Sequence, residues 1–344
     1  MGLMRTMFLA GSRSAWLRDR ATRYPFVRRS VSRFMPGETL EDALAASRAL
    51  QDKGMSVVLT QLGENISDAG EADAVARHYL DVLDQAAARG LDAHISIKPT
   101  QLGLDLDPQL CRNHLLTLLK RAEDRGSFVW IDMEGSSYVD ATLDLFRAAR
   151  AASPRVGVCL QAYLRRTPAD IEALLPLRAA LRLVKGAYQE PADRAFPDKK
   201  DVDAAYLSLA GRILGQPGGP EMFAIGTHDP RLIESLRALA SERGVPRAAY
   251  EFEMLYGIQR ALQTPLTGFW LILTHRAVTP ETMQSAGSRL HLALEFVEEA
   301  PVGVLGDELL WVGLDYSGFM HAQRIKAERI LGIIITPNII ADLA

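Results

Sequence analysis

The sequence predicts an α/β fold of parallel strands joined by helices, on three observations. Seven short apolar runs alternate in one direction with longer amphipathic segments. The short runs are continuously apolar, as expected of strands with both faces covered. Costly polar side chains recur at the C-terminal end of each run, the face on which a (β/α)8 barrel builds its site. Alternation alone fits both a closed barrel and an open doubly wound sheet. No Gly-x-Gly-x-x-Gly follows the first run, which weighs against a dinucleotide-binding open sheet.

The strand runs are residues 56–61, 93–98, 128–133, 156–161, 181–186, 222–227 and 249–254. Helical periodicity fills the intervals at 39–53, 71–89, 108–125, 138–151, 168–175, 202–214 and 230–243. In the first, Leu40, Ala43, Leu44 and Leu50 share a face; in the second, Val75, Tyr79, Val82 and Leu83 do. Gly54, Gly90, Gly126 and Gly244 each follow a last apolar turn, where a left-handed cap is wanted.

A chain of 344 residues can bury a large core without staples. With 48% hydrophobic and 24% charged residues it has the composition of a soluble enzyme. A net charge of −3 argues against a general nucleic-acid binder. Cys111 and Cys159 have no metal-like spacing and suit a reducing compartment, so a cytoplasmic location is expected. Residues 1–34 hold eight arginines and one acid, Asp19. Such a start reads as a solvated helical arm, or as a transit peptide or membrane-surface helix; the first reading is preferred, with no apolar core segment or clear cleavage site. The apolar residues 333–335 and 339–340 are too short to span a bilayer and are split by Pro337. The expected division is an arm at 1–34 and a catalytic domain at 35–344; the residues leave the oligomeric state open.

The polar strand ends are Gln61 with Glu64, Lys98, Asp132, Gln161 with Tyr163, Arg182 with Lys185 and Tyr188, Thr227 with His228 and Asp229, and Glu251 with Glu253 and Tyr256. Each has a structural explanation. Lys98 precedes Pro99 and suits a loop start. Asp132 suits an ion pair with Lys98 or Arg182, and His228 suits a satisfied core position. Asp229 before Pro230 suits a helix cap. Glu251 and Glu253, two apart, share a strand face, and at least one needs a cationic neighbour. Seven strands ending this way are not easily explained by packing. Lys98, Arg182 and Lys185 suit an anionic substrate or a cofactor phosphate, and Lys98 also suits a Schiff base. Neither a metal cluster nor a nucleophile elbow occurs, so a bound cofactor is expected to do the hard step.

The motifs Phe34-Met-Pro-Gly-Glu-Thr-Leu, Leu62-Gly-Glu-Asn, Ser96-Ile-Lys-Pro-Thr-Gln-Leu-Gly, Ile131-Asp-Met-Glu, Leu160-Gln-Ala-Tyr-Leu-Arg-Arg-Thr, Arg182-Leu-Val-Lys-Gly-Ala-Tyr, Gly226-Thr-His-Asp and Tyr250-Glu-Phe-Glu-Met-Leu-Tyr-Gly run in order through residues 34–260. In these the chain resembles the monofunctional bacterial proline dehydrogenases and the proline dehydrogenase domain of bifunctional proline utilisation flavoenzymes. The resemblance implies a distorted (β/α)8 TIM-type barrel with FAD over the strand C-termini. It implies oxidation of L-proline to 1-pyrroline-5-carboxylate, with electrons passed to a quinone. By the same resemblance Lys98 holds the proline carboxylate, Asp132 pairs with that lysine, and Tyr256 packs over the substrate ring. Met133 and Gln161 lie against the flavin, and Arg182 sits by its reactive nitrogen, where a cation stabilises developing charge. Lys185, Gly186 and Ala187 line the cofactor, glycine allowing close backbone approach. Thr227 and His228 contact its phosphate and adenosine side. A quinone acceptor makes peripheral contact with the inner membrane face an expectation too.

After Gly257 the resemblance fades. Residues 269–273 are strand-like and a second apolar run lies at 309–314, but no adjacent arginine pair follows. The family's pair clamps the substrate carboxylate, a bidentate role. Arg324 and Arg329 echo it at altered spacing. Residues 258–344 therefore carry equivalent arginines in new places, mark a flavin-binding relative inactive on proline, or are an aberrant tail. A Schiff-base aldolase using Lys98 or Lys185 is a further alternative: it predicts a colourless protein with a borohydride-trappable lysine, where a proline dehydrogenase is yellow and bleached by proline.

Overall fold

Eight parallel strands, each paired with its neighbours in sequence, close into a barrel in the computed structural model of the chain. The described residues are 36–37, 39–61, 63, 66–214, 216, 219–258 and 269–275, and all fall in one unit spanning 35–278. The strands are β1 (Met55–Gln61), β2 (Ala93–Ile97), β3 (Val129–Ile131), β4 (Val156–Gln161), β5 (Ala180–Val184), β6 (Phe223–Gly226), β7 (Tyr250–Leu255) and β8 (Phe269–His275). Seven match the apolar runs. The eighth is the strand-like segment after the resemblance fades, and it seals the ring by pairing with β1 from Met55↔Phe269 to Gln61↔His275. The arginine-rich arm, Glu64, the run at 309–314, Arg324 and Arg329 lie outside the described residues.

The helices between the strands are α1 (Leu40–Gln51), α2 (Ala69–Ala88), α3 (Pro108–Asp124), α4 (Val139–Ala152), α5 (Thr167–Leu174), α6 (Lys199–Leu214) and α7 (Pro230–Glu242). Their starts are chemically marked. Thr39 and Asp42 cap α1 reciprocally, while Asp68, Asp107 and Asp229 each accept a first-turn backbone N–H. The four expected cap glycines all have positive φ, from 61° at Gly90 to 77° at Gly54. Among the described residues no helix is long and apolar enough to cross a membrane.

Strand alternation sorts the side chains into two cores. Outward residues such as Val57, Ile95, Ile131, Val158, Leu183 and Phe252 join Tyr79, Leu115, Phe146 and Leu236 of the helices in the larger one. Val58, Phe128, Trp130, Ala180 and Ala224 form a smaller cluster on the opposite strand face, inside the barrel. Small residues make room there. A Cβ on Gly157 would overlap the Trp130 ring, so the glycine on β4 is what lets the indole lie across the barrel.

Candidate active site

Above the interior cluster the inward positions turn polar, and Arg182 of β5 is their centre. Its side chain is 2% exposed. Nη1 donates to Ser96 Oγ at 2.9 Å and to Asp132 Oδ1 at 3.1 Å. Nη2 donates to Glu253 Oε1 at 3.1 Å, and Nε lies 2.5 Å from Glu253 Oε2. The guanidinium also sits over Trp130, 4.4 Å from the ring centroid. A buried charge persists only when paired and hydrogen-bonded, and here strands β2 and β7 and the end of β3 all contribute. Burial works against the Arg182 charge, but the Glu253 and Asp132 carboxylates outweigh it and raise its pKa. Asp132, the cation's partner nearest solvent, is also held by Ser96 Oγ at 2.7 Å.

The carboxylates on β7 are forced apart in character. Burial raises the pKa of Glu253, while Arg182 pulls it back. Burial and the neighbouring Glu253 lift Glu251 well above the ordinary carboxylate range. Two inward carboxylates beside one arginine thus favour keeping one proton. His94, on β2, is driven the other way: burial, then Arg182 and Arg155, lower its pKa to about 3.

The barrel mouth is built by the turns that follow the strands. Lys98, half-buried, opens a 3-10 turn at Pro99–Leu102, its carbonyl accepting from Gln101 N at 3.1 Å. Glu134, 2% exposed, fastens that turn by accepting from Thr100 N at 3.0 Å and Thr100 Oγ1 at 2.5 Å. Gln161 donates through Nε2 to the Met133 carbonyl at 3.1 Å; the Met133 side chain itself packs in the larger core. Gln161 Oε1 is buried with no partner among the described residues, an acceptor facing an unfilled demand.

Past β5, Lys185 Nζ lies 2.7 Å from Asp203 and 3.6 Å from Asp229. Gly186 has φ 116°, and a Cβ there would overlap the Tyr163 ring, so glycine is required by backbone and neighbour alike. Ala187 is half-buried beside it. Thr227 Oγ1 accepts from Asp229 N at 3.2 Å, and His228 Nε2 accepts from Leu255 N at 2.7 Å, which leaves the ring proton to Nδ1. Tyr256, half-buried, follows β7 and leans on the larger core.

Arg182 lies within β5, and Lys98, Asp132, Met133, Gln161, Lys185, Gly186, Ala187, Thr227, His228 and Tyr256 lie at or just beyond a strand C-terminus. Of the two cations expected near Asp132, Arg182 lies 3.1 Å from it. Ser96, Trp130, Glu134 and the Arg182–Glu253 contact were not singled out. The period of two along strands pointed to the first two, because Ser96 precedes Lys98, and Trp130 precedes Asp132, by one inward position. Among the described residues no group of three or more His, Cys, Asp or Glu side chains is arranged to hold a metal ion.

Comparison with known proteins matches this geometry. A family model described as proline dehydrogenase covers residues 43–279. Proline dehydrogenase 1 of Bacillus subtilis subsp. natto is 35% identical over 264 residues, 77% of this chain and 86% of that protein. The proline dehydrogenase of Deinococcus radiodurans is 36% identical over 241 residues, 69% of this chain and 77% of that protein. Among solved structures, proline utilization A (PutA) from Bdellovibrio bacteriovorus inactivated by N-propargylglycine superposes with a TM-score of 0.67 at 21% identity. That alignment covers 77% of this chain and 33% of the other, and speaks to the fold. The ordered strand-end motifs, the closed barrel and these matches converge: the chain belongs to the proline dehydrogenase family.

Proposed function

We propose that the protein is an FAD-dependent proline dehydrogenase, oxidising L-proline to 1-pyrroline-5-carboxylate and passing the electrons to a quinone. The observation that carries this reading, within the family, is the buried Arg182 fixed beneath a mouth whose other strand ends offer Lys98, Gln161 and His228. The residues fit a flavin. Gln161 Oε1 is an orphaned buried acceptor suited to a ring N–H, and Arg182 is a permanent cation suited to charge on a reduced ring. Met133, Lys185, Gly186, Ala187, Thr227 and His228 complete the proposed cofactor contacts. Lys185 already faces Asp203 and Asp229, so its part is to neutralise that wall rather than to act as a bare phosphate ligand.

When bound, FAD supplies the two-electron acceptor for the hydride leaving the ring carbon beside nitrogen. The chain's own residues bind and orient. Lys98 offers a point charge to the substrate carboxylate, and the Glu134-fastened turn holds that lysine in place. Asp132 keeps Arg182 charged on one side and is proposed to orient Lys98 on the other. Tyr256 gives the pyrrolidine ring an apolar wall. The ion pairs of Lys185 disfavour it as a Schiff-base nucleophile, which must be uncharged to attack a carbonyl.

Lys98→Met tests the binding assignment. The expected result is a KM for proline raised about tenfold or more, with flavin content unchanged, measured by dye-linked turnover. An unchanged KM would remove Lys98 from the substrate site.

A further inference from the structure

The Glu253 side chain is fully buried and none of the roles above assigns it a contact with substrate. Yet its two oxygens grip one edge of Arg182, by a hydrogen bond from Nη2 and a close ion contact at Nε. A hydrogen bond with a second close ion contact on the same edge restrains the plane of a guanidinium more than a single contact does. Register explains how the pair meets. On β6, between β5 and β7, the residue paired with Arg182 is Ala224 and the residue paired with Glu253 is Gly226. With only a methyl group and a hydrogen in the way, the arginine reaches past β6 to β7. Stability is a weak reason for such a pair, since a well-packed apolar pair of similar volume is often as stable. Orientation is the better reason.

We propose that Glu253 is a positioning residue, holding the Arg182 guanidinium in the plane from which its charge serves the cofactor site at the barrel mouth. This rests on the flavin-dependent reading above. Because Glu253 acts through Arg182, its loss falls on the chemical step and on flavin electrostatics, and spares proline binding.

The test compares the FAD-loaded full chain with Glu253→Gln, Arg182→Lys and the double variant. Glutamine keeps the length but turns an amide N–H toward the guanidinium, so the two-point grip is lost. Glu253→Gln is expected to lower kcat about tenfold or more, leave KM for proline within about twofold, and shift the midpoint potential of the bound flavin. It is expected to add nothing once Arg182 is lysine, because both changes remove one interaction. An equal loss in both backgrounds, a change confined to KM, or wild-type kcat and potential would each overturn the proposal. If Glu253→Gln does not fold, Glu253→Asp keeps the charge but withdraws it by one methylene. A reduced kcat that disappears as a separate effect in the Arg182→Lys background supports the proposal, and wild-type kcat and potential refute it. The potential is read without proline, so a chain that holds FAD but ignores proline still decides the role of Glu253. Failure of proline to reduce the wild-type flavin counts instead against the proposed function.

Discussion

At the scale of single residues, burial forces charges into pairs. Arg182 is held by Glu253, Asp132 and Ser96, so deleting its charge leaves a buried carboxylate uncompensated. Arg182→Met is therefore expected to cost about 3–5 kcal/mol of stability, read as a lowered denaturant midpoint. An unchanged midpoint would show that the network contributes nothing to the fold. Glu251 gives a pH signature. Its folded pKa is raised above the ordinary 4.5, so the folded state binds more protons than the unfolded chain between the two values. Stability from this group therefore declines as pH rises through that window. Glu251→Gln is expected to flatten the decline in a pH series of thermal midpoints; an identical slope in the variant would contradict it. His94 has the opposite sign. With a folded pKa of about 3 against an ordinary 6.5, it stays neutral in the barrel while the unfolded chain takes up a proton, so stability falls as pH drops through that interval. The partners of these residues were only partly legible. That Glu251 or Glu253 needs a cation followed from their shared face. That the cation is Arg182 depends on small β6 residues between them, a fact of register that local pattern does not carry.

At the scale of elements, apolar runs and helix caps were legible because both are local. The seven predicted strands each recur, and the capping glycines have the left-handed backbone expected of them. Differences fall where local signals change type. Helix α6 begins at Lys199, three residues ahead of its first apolar position, because a Lys199–Asp203 pair supports a wholly polar first turn. The short turn Pro99–Leu102 was missed because its stability comes from Glu134, on another strand end. Gly186 was expected to allow close approach to a cofactor. The geometry adds a stricter reason, positive φ beside the Tyr163 ring. Gly186→Ala is thus expected to destabilise the chain by about 1–3 kcal/mol and to lower FAD occupancy, measured by calorimetry and the flavin-to-protein absorbance ratio. Normal stability and occupancy in this variant would mean that Tyr163 yields freely.

At the scale of the whole molecule, ring closure is what turns seven scattered strand ends into one site. Ser96 of β2, Asp132 after β3, Arg182 of β5 and Glu253 of β7 meet inside the ring that β8 completes against β1. The sequence marked residues 269–273 as strand-like but did not assign them to the sheet, since one short apolar run looks alike in a strand and in a buried helix. The family match ends at residue 279, close to where the ordered motifs run out. The most direct reading of the proposed function is spectroscopic. The measurement is the visible spectrum of the purified full-length protein, before and after anaerobic addition of L-proline. An FAD-dependent proline dehydrogenase is yellow, and proline bleaches its flavin bands. A protein that stays colourless with added FAD, or a yellow one whose bands proline leaves unchanged, contradicts the proposed function.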